Sequence, residues 1–233
     1  MERLSLILVA AGEGRRIGRG LRKALIPIGG KPLLLHTLDA LRDIPHREET
    51  ILVIHSTDRE RLEADLGDAL SANGVTHIVD GGKERMDSVR AGLEAVSAES
   101  SLVAIHDAAR PFVQAVDLEA VVEAAALKGA AILAIPVPDT VKVEGDGRCI
   151  ERTASRESLW LAQTPQVFRR EIIIEAHRRL EGRVTDDAEA VERAGWEVTL
   201  VPATGPNPKI TTPADLEMAR RLLAAPGPSV RGE

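Results

Sequence analysis

A short segment near the start of the chain, residues 10–16 (AAGEGRR), is followed by a lysine at position 23. Its small residues let the backbone approach a ligand closely, so that N–H groups can point at phosphate oxygens. Arg16 supplies a planar guanidinium that fits a phosphate, and Lys23 supplies a mobile point charge. The apolar run Leu4–Val9 leads straight into the segment and is typical of a buried strand. The sequence therefore predicts a phosphate-binding loop after the first strand.

Several types of loop could explain this segment. A dinucleotide-binding loop requires Gly-x-Gly-x-x-Gly, and here the third glycine, Gly18, comes one residue late. A P-loop requires Gly-Lys-Ser or Gly-Lys-Thr, and neither tripeptide occurs in the chain. The pattern Ala-Ala-Gly-x-Gly-x-Arg with a lysine shortly afterwards is that of a nucleotidyltransferase loop, and residues 10–16 with Lys23 fit it. The remaining alternative is an ordinary glycine-rich turn whose arginines are solvated.

Composition excludes several classes of protein. The chain has 233 residues, of which 44% are hydrophobic and 28% charged, as expected for one large globular α/β domain. A net charge of −6 and an aromatic content of 2% argue against a nucleic-acid-binding protein. No apolar run reaches membrane-spanning length, no signal peptide is visible and Cys149 is the single cysteine, so we expect a cytoplasmic protein. Residues 1–225 are predicted to form one domain, and residues 226–233 a disordered tail.

Apolar strands alternate with helical patterns through the first part of the chain. Strands are predicted at 4–9, 51–54, 76–79, 102–105 and 131–135, with helices between them. This alternation indicates an α/β fold with a Rossmann-like, mostly parallel sheet and helices on both faces. Because ligands bind beyond the carboxyl ends of such strands, the loops at 10–16, 80–89 and 106–111 should meet at one edge. That edge is the candidate site.

The pattern changes after residue 138. Residues 140–152 alternate in polarity around a Gly-Asp-Gly turn, which predicts a β-hairpin. A hairpin is marginally stable alone and needs a surface to pack on. We therefore interpret residues 138–158 as a projecting hairpin arm that packs on a second copy of the chain, giving a homodimer. The alternative is a hairpin folded back onto its own domain. Beyond it, helices are predicted near 169–180 and 186–194, a strand at 196–201 and a last helix after residue 211.

Seven segments, taken in order, resemble the 2-C-methyl-D-erythritol 4-phosphate cytidylyltransferase family. They are residues 10–16 with Lys23, 80–89 (DGGKERMDSV), 106–111 (HDAARP), 139–142 (DTVK), 163–166 (QTPQ), 185–188 (TDDA) and 209–211 (KIT). The resemblance covers nearly the whole chain up to the tail. The chain departs from the family at Val9, where proline is frequent, at Arg22 and Ala24, where proline and glutamine are frequent, and at Lys83. Lys23 itself is kept.

The resemblance implies a reaction. The family transfers a cytidylyl group from CTP to the phosphate of 2-C-methyl-D-erythritol 4-phosphate, which gives 4-diphosphocytidyl-2-C-methyl-D-erythritol and pyrophosphate in the non-mevalonate isoprenoid pathway. It also implies a divalent ion, usually Mg²⁺, and a homodimer whose hairpin arms reach into the partner's site. The implied catalytic residues are Arg16, Lys23 and Asp107, with Asp107 also the candidate metal ligand through water. The implied nucleotide-binding residues are Ala10, Ala11, Gly12, Gly14, Gly82, Arg85 and Ser88. The implied acceptor-binding residues are Thr140, Arg156, Thr164, Lys209 and Arg110.

Each role has an alternative at this stage. Asp107 could hold Mg²⁺ through water or bond a sugar hydroxyl, but it could also cap the turn that follows it. Ala10 and Ala11 could serve close helix–strand packing, and Thr164 could belong to a structural turn. The histidines lack metal-ligand spacing, and Cys149 has no base nearby in sequence, so nucleophilic catalysis is not predicted.

Rival functions also remain at this stage. A cytidylyltransferase acting on ribitol 5-phosphate, a sugar-1-phosphate enzyme and a catalytically silent nucleotide-binding protein would share much of this pattern. A dehydrogenase is disfavoured by the broken glycine motif.

Overall fold

The computed structural model of the protein describes residues 2–12 and 22–224. Gly14, Arg16 and the predicted tail at 226–233 lie outside these residues. The first part of the chain alternates strands and helices: β1 Leu4–Val9, β2 Pro27–Ile28, β3 Lys31–Pro32, α1 Leu33–Ala40, β4 Arg47–Ile54, α2 Arg59–Ala72, β5 His77–Asp80, α3 Arg85–Glu94, β6 Leu102–Asp107 and α4 Ala115–Lys128. The second part comprises β7 Ala130–Pro136, β8 Val141–Glu144, β9 Ile150–Ala154, β10 Trp160–Arg169, α5 Arg170–Arg179, α6 Asp187–Arg193, β11 Thr199–Pro202 and α7 Pro213–Ala224.

A seven-stranded sheet with the order β11-β7-β10-β6-β1-β4-β5 forms the centre of the fold. Its neighbouring strands are parallel except at β10, which runs antiparallel to both β6 and β7. The predicted α/β class with a mostly parallel sheet is therefore confirmed. The sequence did not predict β10, because its middle carries polar residues and Pro165, which interrupt the pairing with β7 between Ala162 and Gln166.

Two apolar layers pack on the two faces of this sheet, because successive side chains of a strand point to opposite faces. Leu4, Leu6 and Leu8 of β1 contact one layer, which contains residues of α1, α2 and α4. Ile7 belongs to the other layer, with residues of α3, α5 and α6. Helix α3 lies close to the sheet at Gly92, where an added Cβ would lie 2.7 Å from Ile7 Cγ2. These two layers fix the strand ends that carry the candidate site.

The predicted hairpin is present as strands β8 and β9, which pair with each other in a separate two-stranded antiparallel sheet. A short 3-10 turn at Asp146–Arg148 joins them, and Gly147 adopts φ 65° there. Most side chains of the hairpin are exposed, and Ile150 at the start of β9 is 63% exposed. Among residues 2–12 and 22–224, no helix is both long and apolar enough to cross a membrane.

Candidate active site

Two adjoining cavities lie at the carboxyl edge of the parallel strands, where the sequence predicted three loops to meet. The larger cavity, of about 920 Å³, is lined by residues that follow β1, β4, β5 and β6. The smaller cavity, of about 270 Å³, lies between the Asp107 loop, the start of β10 and the loop before α6. Arg85, Asp107 and Lys209 line both cavities. These three side chains therefore stand where two ligands would meet.

The floor of the larger cavity depends on a close approach of three backbone segments. Ala10 N–H donates to Val53 O at 2.7 Å, which ties the loop after β1 to β4. Gly81 lies so close that a Cβ added to it would be 2.6 Å from Ala11 Cβ and 2.7 Å from Ser88 Oγ. Only glycine therefore fits at this position without a shift of its neighbours. Five residues that the sequence predicted to bind the nucleotide line this cavity; they are Ala10, Ala11, Gly12, Gly82 and Ser88.

The first turn of α3 faces the larger cavity. Glu84 N–H donates to Asp87 Oδ2 at 3.0 Å, half of a capping box that fixes the start of this helix. Both Arg85 and Ser88 of this first turn line the cavity. The amino end of a helix favours anions, so this placement adds to the positive character of the cavity.

Lys23 is held at the larger cavity by its neighbour in sequence. Arg22 Nε forms an ion pair with Asp58 Oδ2 at 3.1 Å, and its Nη2 donates to Thr57 Oγ1 at 3.3 Å. These contacts attach the 3-10 turn Lys23–Leu25 to the loop after β4. The departure from the family at Arg22 thus has a local structural role, and Lys23 lines the cavity as predicted.

Asp107, the last residue of β6, is the centre of the charges at the site. Its Oδ1 accepts a hydrogen bond from Arg85 Nε at 3.2 Å, and its Oδ2 lies 2.7 Å from Lys209 Nζ. Arg110 Nε lies 3.8 Å from the same Oδ2. Burial by itself raises the pKa of Asp107, but the three cations outweigh it and hold the pKa of this carboxyl well below its usual range. Asp107 is therefore ionised at all physiological pH values.

Arg85 also pairs with a second carboxylate that the sequence did not assign. Its Nη1 lies 2.8 Å from Oδ2 of Asp187, which is buried at the start of α6. His177 Nε2 is 3.4 Å from the other Asp187 oxygen, and Gln166 Oε1 accepts the Asp187 backbone N–H at 3.1 Å. Burial raises the pKa of Asp187, but Arg85 and His177 together outweigh it, and the pKa is lowered. Burial lowers the pKa of Arg85, but the two carboxylates outweigh it and raise that pKa.

Hydrogen bonds from His106 and to Thr164 hold the loop around Asp107 in place. His106 Nε2–H donates to Arg110 O at 3.0 Å, and complete burial lowers its pKa to about 4, so the ring is neutral near pH 7. Thr164 Oγ1 accepts the Asp107 backbone N–H at 3.1 Å, while Thr164 also lines the smaller cavity. The peptide bond from Thr164 to Pro165 is cis. Thr164 thus has the structural role considered as an alternative, and it lies at the predicted acceptor side as well.

Cations outnumber carboxylates around the two cavities, although the whole chain carries a net charge of −6. In the described part of the chain, the cationic lining residues are Lys23, Lys83, Arg85, Arg110, Arg183 and Lys209, and the carboxylates are Glu84, Asp107 and Asp186. A local excess of positive charge attracts polyanions and lowers the repulsion between two of them. The arrangement can therefore hold two phosphate-bearing ligands side by side.

Comparison with known proteins assigns the chain to a family. The family model described as IspD, 2-C-methyl-D-erythritol 4-phosphate cytidylyltransferase, matches residues 4–225. The chain belongs to this family. The 2-C-methyl-D-erythritol 4-phosphate cytidylyltransferase of Pelotomaculum thermopropionicum is 40% identical, over 97% of this chain and 96% of its own.

Two solved structures of the family superpose on the chain over nearly its whole length. The crystal structure of 2-C-methyl-D-erythritol 4-phosphate cytidylyltransferase from Thermus thermophilus has a TM-score of 0.79 and 36% identity, covering 97% of this chain and 100% of that chain. That of 4-diphosphocytidyl-2C-methyl-D-erythritol synthase from Anaerococcus prevotii has a TM-score of 0.83 and 30% identity, covering 96% and 99%. Together they show that the fold is that of the cytidylyltransferase family.

Two residues predicted at the acceptor site are not brought to it by their own chain. Thr140 and Arg156 both lie in the hairpin arm and are exposed. In the described part of the chain they line neither cavity. Arg156 Nη1 donates instead to Pro138 O at the base of the hairpin arm. The other predicted site residues within residues 2–12 and 22–224 line one or both cavities; they are at positions 10, 11, 12, 23, 82, 85, 88, 107, 110, 164 and 209.

Sequence reasoning left several supporting residues without a role. Gly81 and Asp187 lie inside segments that carry the family resemblance, so the sequence could have indicated that they belong to the site. Gln166, which bonds the start of α6, belonged to the same set. Arg183 lines the larger cavity and forms an ion pair with Glu84 at 3.1 Å, and nothing in its neighbourhood in sequence indicated this.

Among the described residues, no cluster of three or more histidine, cysteine or carboxylate side chains is placed to hold a metal ion. Mg²⁺ is often bound by one or two carboxylates together with substrate phosphates, and it retains several waters. A carboxylate has about four lone-pair positions, and Arg85 and Lys209 each occupy one at Asp107. The residues therefore fit a hydrated Mg²⁺ that arrives with a nucleotide and bonds Asp107 through water.

Proposed function

We propose that this protein transfers a cytidylyl group from CTP to 2-C-methyl-D-erythritol 4-phosphate and releases pyrophosphate. The observation that carries the proposal is the position of Arg85, Asp107 and Lys209 between two cavities that differ in size. We assign the larger cavity to CTP and the smaller one to the acceptor. Membership in the cytidylyltransferase family and the excess of cations around both cavities support this assignment.

The reaction is an in-line displacement at the α-phosphorus of CTP. An oxygen of the acceptor phosphate attacks this phosphorus, a new P–O–P bond forms, and the bond to the β-phosphate breaks with its electron pair leaving on pyrophosphate. A phosphate monoester loses its second proton with a pKa near 6, so the attacking oxygen needs no general base at neutral pH. Catalysis then depends on positioning and on charge stabilisation.

The cationic side chains divide this work. Lys23, at the larger cavity, stabilises the charge that builds on the triphosphate, together with Arg16, which lies outside the described residues. Lys209 and Arg110 hold the acceptor phosphate, and Arg85 stands between the two ligands. Ionised Asp107 orients Arg85, Arg110 and Lys209, since each of these three lies within 3.8 Å of one of its oxygens. When bound, Mg²⁺ supplies further charge neutralisation, and Asp107 would hold it through water.

We also propose that the hairpin arm completes the site of a second subunit. Thr140 and Arg156 line neither cavity of their own chain in its described part, while both are expected to bind the acceptor. A homodimer with exchanged arms would resolve this separation. Mixing Lys23→Ala chains with Arg156→Ala chains tests it, because activity returns only if one site uses residues of both chains. No activity in a verified mixed dimer would refute the exchange.

The domain boundary at residue 225 and the cytoplasmic location remain predictions from sequence. The function is tested by pyrophosphate release with CTP and Mg²⁺, comparing 2-C-methyl-D-erythritol 4-phosphate, ribitol 5-phosphate and glucose 1-phosphate as acceptors. We expect release with the first alone. Release only with another acceptor would refute the acceptor assignment while keeping the chemistry. No release with any acceptor would favour a silent nucleotide-binding protein.

A further inference from the structure

Asn207 is a buried amide that lies beside the smaller cavity without lining it. It is 2% exposed and stands two residues before Lys209, between Pro206 and Pro208. Its Nδ2–H donates to Thr164 O at 2.8 Å, and its own backbone O accepts from Arg110 Nη1 at 2.7 Å. Asn207 thus bonds two residues of the acceptor side and adjoins a third in sequence.

These contacts close a ring of hydrogen bonds around Asp107. Thr164 Oγ1 holds the Asp107 backbone N–H at 3.1 Å, while Lys209 Nζ lies 2.7 Å from its Oδ2. Ile210 N–H donates to Ala109 O at 2.9 Å, which keeps the loop of Asn207 against the loop of Asp107. The loop after β11, the start of β10 and the end of β6 are therefore joined at Asn207.

The backbone around Asn207 has little freedom to compensate for a lost bond. Pro206 and Pro208 on either side have fixed φ angles, and Pro208 also restricts the conformation of Asn207 itself. This stiffness fixes the direction of the Asn207 carbonyl that holds Arg110. It also fixes where the chain continues toward Lys209.

We infer that Asn207 is a positioning residue, which holds Thr164, Arg110 and Lys209 in the arrangement that binds the acceptor phosphate. It acts through these neighbours and touches neither ligand. The inference rests on the proposed function for its kinetic consequence, but the geometry that it describes can be tested separately. Loss of the amide donor leaves Thr164 O buried without its partner and frees the loop that carries Lys209.

The kinetic test uses Asn207→Asp, which keeps the size of the side chain but replaces the amide donor with a carboxylate oxygen facing Thr164 O. We expect KM for the acceptor to rise by roughly tenfold, the usual consequence of one unmatched buried polar group, while KM for CTP stays unchanged. The matched control is Thr204→Val in the same loop, which removes the bond from Thr204 Oγ1 to Asp117 Oδ1 at 2.8 Å, away from both cavities. We expect normal KM values in the control.

A purely structural role would give a different result. It would lower the melting temperature and the active fraction, and would change both KM values equally or neither of them. Either pattern in Asn207→Asp, or an acceptor KM that rises as much in Thr204→Val, would overturn the inference. If Asn207→Asp melts below the assay temperature, Asn207→Ala is measured instead, because it also removes the amide donor and places no charge in the buried position.

A second measurement does not depend on the acceptor or on activity. Amide hydrogen exchange of the wild type and the variants reports on the N–H groups of Asp107 and Ile210, which bond Thr164 Oγ1 and Ala109 O. We expect faster exchange at both amides in the Asn207 variant and not in Thr204→Val. Unchanged exchange would refute the positioning role even if activity falls. If the wild type itself shows no transfer, the proposed function fails, and hydrogen exchange alone decides whether Asn207 holds this arrangement.

Discussion

Replacing Arg85 with glutamine tests the buried ion network from its centre. Asp107 would keep Lys209 at 2.7 Å, so most of the cost falls on Asp187, which loses the cation at 2.8 Å and keeps His177 at 3.4 Å. Removing one partner of a buried ion pair costs about 3–5 kcal/mol, because the other charge stays buried without compensation. In a chain of this size about 1 kcal/mol lowers Tm by 2–4 °C, so we expect a fall of roughly 6–20 °C.

The loss should depend on pH with a definite sign. In the wild type the pKa of Asp187 is lowered, since Arg85 and His177 together outweigh burial. The pair therefore contributes stability above the unfolded-state pKa of about 3.9, and this contribution is lost as the pH falls through the lower folded-state pKa. Without Arg85, burial should raise the pKa of Asp187 above the unfolded value. The stability difference between wild type and variant is then largest at neutral pH and shrinks as the pH falls toward about 4.

The assay is urea unfolding of both proteins at several pH values, followed by circular dichroism. The matched control is the double variant Arg85→Gln with Asp187→Asn, which removes the unpaired carboxylate and should recover part of the lost stability at neutral pH. The backbone N–H of residue 187 still reaches Gln166 in this control. A single variant as stable as the wild type at pH 7, or a double variant less stable than the single one, would refute the reasoning.

Three further substitutions have distinct expected results. Gly92→Ala should destabilise the fold by about 1–3 kcal/mol in urea unfolding with unchanged KM values, because its Cβ would lie 2.7 Å from Ile7 Cγ2; wild-type stability would contradict this. Gly81→Ala should raise KM for CTP by roughly tenfold in the pyrophosphate assay, since the methyl displaces Ala11 and Ser88 at a cost of about 1–3 kcal/mol; a change in the acceptor KM alone would contradict it. Lys23→Ala should lower kcat by roughly 10²–10³; wild-type kcat would remove its assigned role.

Much of the sheet could be predicted from sequence because its parallel strands are buried on both faces. Such strands are short, mostly apolar runs, as Leu4–Val9 and the first four residues of β6 are, and they need little context to recognise. Strand β10 is different, since polar residues and the cis Thr164–Pro165 peptide bond interrupt its middle. A polar segment with proline is typical of a turn, so pairing with two neighbouring strands decided its conformation.

Residues of the candidate site could be predicted where the neighbouring sequence, a strand end or a glycine-rich loop, marks them. Lys23, Gly82 and Asp107 each follow a strand or lie in a glycine-rich loop, and all line the cavities. The second partner of Arg85 could not be found in this way. Asp187 is distant in sequence, and only the packing of α6 beside α3 brings its carboxylate within 2.8 Å of the guanidinium. Asn207 was visible in the sequence, but its bonds to Thr164 and Arg110 depend on the tertiary fold.

The reversed direction of β10 explains why the hairpin arm projects from the central sheet at the edge that carries the candidate site. Strand β7 ends at the carboxyl edge of the parallel strands, and Trp160 pairs there with Pro136, so the chain leaves and re-enters the sheet at this edge. Because β10 then runs antiparallel, its beginning rather than its end lies beside Asp107. A parallel return would have started at the opposite edge and placed Thr164 and Gln166 away from the charges that they support. One antiparallel strand therefore provides both the exit of the hairpin arm and the side chains of Thr164 and Gln166, which accept the backbone N–H groups of Asp107 and Asp187.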